Sequence, residues 1–146
     1  SYWQTMGQRI AAIGKVLFSR TEEELQKIIK DVADGELILV AVVPSSDTMA
    51  PDRDNIRELE SALVFVLVKV NRNNMDAEDL INAQEQTQAI IKQIKQFINQ
   101  DADNEASEFH HLCRDINLSK MHTDPEWNYM NCDGYSLSFQ FNTIGF

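Results

Sequence analysis

A chain of 146 residues in which 13 Lys and Arg face 23 Asp and Glu carries a formal charge of −10. That length suits a single domain spanning residues 1–146, whose one core buries roughly 68–70% of the surface the unfolded chain exposes. A field of this sign repels phosphate backbones and anionic membranes, which argues against specific nucleic-acid recognition or membrane adsorption and leaves cationic partners open.

The first expected element is a helix from Trp3 to Phe18, with Trp3, Met6, Ile10, Ile13, Val16 and Leu17 close to a helical stripe. Gly7 and Gly14 weaken it by about 1 kcal/mol each relative to Ala. The run TEEE at Thr21 to Glu24 matches a capping box, and the helix it opens, through Leu25, Ile28, Ile29 and Val32, is expected to stop at Gly35. ELILVAVV, Glu36 to Val43, is apolar on both faces and predicts a central strand, with Pro44 ending its ladder for want of an amide donor.

A long polar loop, Ser45 to Arg57, is predicted next, followed by a strand rich in β-branched residues, SALVFVLVKV, from Ser61 to Val70. Asp76 then starts the longest helix, which places Leu80, Ala83, Thr87, Ile90, Ile91, Ile94, Phe97 and Ile98 on one face. A weaker strand is expected around Arg114 to Met121, then a turn-rich stretch HTDPEWNYMNCDG. The closing strand alternates Tyr135, Leu137, Phe139 and Phe141 with Ser136, Ser138, Gln140 and Asn142, so one face is aromatic and apolar and the other carries hydroxyls and amides. Helices against a mainly antiparallel sheet define an α+β class, with the long helix packed on one face and the other helices N-terminal.

Two cysteines are too few for a disulfide framework, and the N-terminus shows no charged n-region followed by an apolar h-region. The longest apolar runs, LILVAVV and ALVFVLV, are far shorter than a membrane span. The expectation is a cytoplasmic chain with reduced thiols, its SYW start reflecting loss of an initiator Met.

His110, His111, Cys113, His122 and Cys132 have metal-ligand chemistry but lack the paired CxxC or HxxxH spacing of a zinc site, so surface histidines and thiols at the edge of the core are the better reading. Glu22 to Glu24 and Asp76, Glu78 and Asp79 sit where helix dipoles favour carboxylates. No GxSxG, GxxxxGK[ST] or GxGxxG occurs, so no catalytic residue, metal or cofactor is assigned. The mixed charges of PDRDNIRELE, among them Asp52, Arg53, Asp54 and Arg57, suit either a solvated loop or a subunit contact in which opposite charges set the register. Trp127 and Tyr129 in DPEWNYM, and Phe146 at the C-terminus, are further candidates for contact with a partner.

The segments ELILVAVVP, SALVFVLVKV, Asp76 to Asn99 and DGYSLSFQF, taken in order, resemble the tail terminator and tail-completion proteins of long-tailed phages. The capped helix at Thr21 to Val32 is a departure from that pattern. The resemblance implies a non-enzymatic virion protein, assembled in the host cytoplasm, without a cofactor. It also implies a homo-oligomeric ring, commonly a hexamer, that contacts the tail tube and the head-tail connector and lets DNA pass through its bore. Charge −10 and the lack of catalytic motifs fit equally an acidic binding inhibitor of the immunity type, directed at a basic toxin or nuclease. A hydrolase whose residues converge only in space is the third possibility.

Overall fold

The computed structural model describes residues 2–49, 57–114, 116 and 118–144, with the backbone alone over 43–49, 57–60 and 141–144. Among them, β1 (Lys15–Ser19), β2 (Leu37–Met49), β3 (Arg57–Lys69), β4 (His122–Tyr129) and β5 (Cys132–Ile144) form one sheet in the order β1-β2-β3-β5-β4. β1 runs parallel to β2 and the remaining pairs are antiparallel. The helices are α1 (Tyr2–Arg9), α2 (Glu22–Ile29), α3 (Ala77–Asp103) and the short α4 (His110–Cys113). The fold is α+β, as its patterning predicts.

β2 and β3 lie at the centre because both their faces are apolar, and Ile38, Leu39, Val40, Val64, Val66 and Leu67 are fully buried. On one face, α3 lays Ile90, Ile91, Ile94 and Ile98 over Leu39, Val64, Val66 and Leu137, with Met6 of α1 and Cys113 of α4 closing the ends. A capping box starts α3: Asp76 Oδ1 accepts from Asp79 N at 2.8 Å, and Asp79 Oδ2 accepts from Asp76 N at 3.3 Å. On the opposite face, α2 sets Leu25 and Ile29, with Val32 just beyond, against Ile38, Val40, Phe65 and Leu67. Thr21 caps α2 through the Glu24 amide at 3.2 Å.

Two polar anchors tie the helices to this frame. Asp101, near the end of α3 and only 4% exposed, accepts from Tyr2 Oη at 2.7 Å, from Arg9 at 2.8 and 3.2 Å and from Ser107 Oγ at 2.8 Å. Burial pushes its pKa up, but the hydrogen bonds from Arg9, Tyr2 and Ser107 outweigh it and hold the carboxyl below its usual value. Burial raises the Tyr2 phenol, and its bond to Asp101 raises it further. On the other side, Lys69 Nζ donates to Val32 O at 2.9 Å and reaches Ile29 O and Lys30 O at 3.3 and 3.4 Å, placing a cation at the C-terminal end of α2.

The order of elements departs from the sequence pattern in five places. Trp3 to Phe18 is not one helix: α1 ends at Arg9, and Lys15 to Ser19 pair with Ile38 to Val42. A Cβ at Gly7 would collide with the Val16 side chain, so this glycine admits α1 close to β1. α2 stops at Ile29, before Gly35, which instead takes φ +80° in the turn entering β2. Pro44 does not end β2, because it falls in a bulge between Val42 and Ser45 where no ladder donor is needed. The described residues from Arg114 to Met121 form no strand, and a 3₁₀ turn occupies Leu118–Lys120. The turn-rich HTDPEWNY is itself the edge strand β4, with Pro125 and a bulge protecting its free side.

β2 and β3 also continue where a loop is expected, β2 to Met49 and β3 from Arg57, with residues 50–56 outside the described residues. Their pairing runs from Ser45↔Ser61 to Met49↔Arg57, and β5 follows β3 from Gln140 to Ile144. β1 pairs no further than Val42, and β4 no further than Ser138. A three-stranded arm of about 15 Å therefore extends past both edge strands.

Candidate interaction surfaces

The α2 side of the sheet is only partly covered. An eight-residue helix is about 12 Å long, whereas five strands span roughly 19 Å. The uncovered part is a groove of about 410 Å³. Val42, Leu63, Phe65 and Leu25 supply its apolar lining, and Ser19, Arg20, Thr21, Glu22, Glu126 and Tyr129 complete it. The Tyr129 ring stacks on Phe65 at 5.1 Å between centroids and 8° between planes. Beyond the groove, β5 presents Ser136 and Ser138 on this face while Leu137 and Phe139 enter the α3 core, as their alternation predicts. Ser136 Oγ donates to Glu126 Oε1 at 3.0 Å and so fixes that carboxylate at the groove. Burial raises the Tyr129 phenol, and the nearby Glu22 and Glu126 carboxylates add to the shift.

Trp127 and Tyr129 are two residues apart, yet the structure sends them to different surfaces. Between Glu126↔Gly134 and Tyr129↔Cys132, β4 has two residues where β5 has one. This bulge puts Glu126 and Tyr129 on the same face and Trp127 on the other. Asn128 takes φ 53°, and the side chain of the buried Asp133 holds the bulge, accepting from Asn128 N at 2.8 Å and from Arg72. Met130 and Asn131 follow with φ 52° and 63°, the two positive values of a type I′ hairpin turn.

On its own side, Trp127 is 72% exposed beside Ile81, 58% exposed, and the two border an open shelf with Leu80 and Tyr135 between α3 and β4. An indole and an isoleucine this exposed side by side form an apolar patch of the kind found at protein contacts.

The other candidates divide as follows. Asp52, Arg53, Asp54 and Phe146 lie outside the described residues, and Arg57 is placed by its backbone only, as the first residue of β3 beside Met49 and Ile144. Cys113 is buried against Tyr2 on the α3 side and Cys132 is buried in the α2 core, so the two thiols lie in separate clusters. His110 Nδ1 faces the Asp101 carbonyl at 3.3 Å, and His122 Nε2 lies 2.9 Å from Asp124 Oδ1. Among the described residues, no three His, Cys, Asp or Glu side chains are placed to hold a metal ion. Glu22, Leu63, Phe65 and Glu126 are the groove residues that sequence reasoning missed as a site. The signal for them was the apolar alternate set Leu63, Phe65, Leu67, which exceeds what one short helix covers.

Comparison with protein-family models, with curated proteins and with solved structures gave no match.

Proposed function

We propose that the protein is a non-enzymatic virion structural subunit, a tail terminator or head-tail completion protein of a long-tailed phage that assembles into a ring of copies of itself. The observation that carries this reading is the three-stranded arm, in which β2, β3 and β5 run on beyond both edge strands. Along such an arm β2 and β5 have no described strand beside them on their outer sides, and a neighbouring subunit's strand can pair there. The exposed Trp127 and Ile81 give a second surface on the same molecule, and two different surfaces are what a head-to-tail ring contact uses. A net charge of −10 would let DNA pass the bore of such a ring without adhering. The ring's outer partners are tail-tube and connector proteins, and the role needs no cofactor.

The test is charge reversal at Arg57, the first residue of β3, together with Arg53 earlier in the sequence. Arg53→Glu combined with Arg57→Glu should dissociate the assembled species while thermal unfolding of the subunit changes little, as is usual for surface substitutions. A variant that keeps its assembled mass, or one that loses fold and assembly together, would count against a register-setting contact here. The acidic-inhibitor reading is favoured by one specific feature, the carboxylates around the groove. It is distinguished by a monomeric chain that binds a basic nuclease tightly.

A further inference from the structure

The geometry points to the groove beside α2 as a docking site for a cationic segment of another protein: a short extended stretch that lays an apolar side chain on Val42, Leu63 and Phe65 and directs an Arg between Glu22 and Glu126. It stands independently of ring formation, since it uses neither the arm nor Trp127.

Three features select this occupant. The lining joins an apolar and aromatic part to a polar part in which two carboxylates outnumber one guanidinium, which suits a side chain with an apolar stem and a charged head. A planar guanidinium can pair with carboxylates and lie on a ring face at once, which favours Arg over Lys. Of the charged residues lining the groove, Glu22 and Glu126 outnumber Arg20, whose Nε is itself held 3.2 Å from Glu24 Oε2, and Glu23 follows on α2. The α2 N-terminus contributes about half a positive charge, which the carboxylates outweigh. Glu126, held by Ser136, is already oriented, so little freedom is lost when it pairs. A second copy of the chain is a poorer occupant because its overall charge is also −10.

The probe is the peptide acetyl-Val-Arg-Val-Arg-Thr-amide, titrated into the ¹⁵N-labelled full chain and followed by amide chemical shifts. The expected result is saturable movement at Thr21, Glu22, Leu63, Phe65 and Tyr129. Glu22→Gln with Glu126→Gln should weaken binding roughly 3- to 30-fold, the range that two partly exposed ion pairs supply. Raising the salt from low to high ionic strength should weaken it further, and spectral dispersion reports that the variant remains folded. The proposal is overturned if the Gln-for-Arg peptide moves the same resonances with equal affinity, or if the Arg peptide moves none of them. It is also overturned if the double variant changes the self-association of the chain, which would make the groove a contact between copies.

Discussion

Asp101→Ala probes the way α1 is fastened to the rest of the molecule. The substitution removes the acceptor of the bonds from Tyr2, Arg9 and Ser107. Tyr2 is buried and its hydroxyl would lose its 2.7 Å acceptor, keeping the weaker Cys113 thiol within reach, so its share is about 1–3 kcal/mol. The Arg9 side chain is 29% exposed, recovers water when released and still lies over Phe97, so its share is at most about 1 kcal/mol. The total is about 1–4 kcal/mol, which lowers Tm by roughly 3–13 °C for a domain of this size. Chemical denaturation of Asp101→Ala, Tyr2→Phe and the double variant should give a coupling between Tyr2 and Asp101 of about 0.5–3 kcal/mol. The pH dependence follows from the depressed pKa. Because the folded value lies below the unfolded value near 3.8, the stabilisation is present above that pH and is lost as pH falls through the folded value. Asp101→Ala should therefore flatten the acid limb of stability against pH. A loss below about 1 kcal/mol, or strict additivity of the two substitutions, would refute the network as the fastening of α1.

Lys69→Met should destabilise the fold by about 1–3 kcal/mol in denaturant titration, because carbonyls at the end of α2 lose a charged donor. Cys113 and Cys132 should resist thiol reagents at pH 8 until the chain unfolds, since both are buried, and burial raises both, Cys132 to about 11. Gly134→Ala should cost about 1–3 kcal/mol in the same titration, because its Cβ would meet the Val66 carbonyl across the β3–β5 pair.

The centre of this fold was legible in the sequence and its margins were not. β2 and β3 are apolar on both faces and α3 combines a cap with an apolar stripe, so local pattern and tertiary environment agree. β1 escaped because Ile10, Ile13 and Leu17 keep near-helical spacing although Ile10 and Ile13 lie in the connection after α1; the parallel pairing of Lys15 to Ser19 with β2 decides their conformation. β4 escaped because an edge strand carrying Pro125 and a bulge loses its period of two, so Trp127 and Tyr129 look like neighbours on one turn. The arm was read as loop because β2 continues past Pro44 through the bulge. For the groove the sequence offered only the alternate apolar set of Leu63, Phe65 and Leu67, since Glu22, Leu63 and Glu126 meet only after β1–α2–β2 has crossed the sheet and β4 has joined β5.

The central claim, that the chain is a ring-forming subunit, is tested most directly by electron microscopy of the purified protein at high concentration, alone and mixed with tail tubes. Closed rings of about six copies, free or capping the tube ends, are the predicted result. Single subunits in both preparations, with bare tube ends, would contradict it.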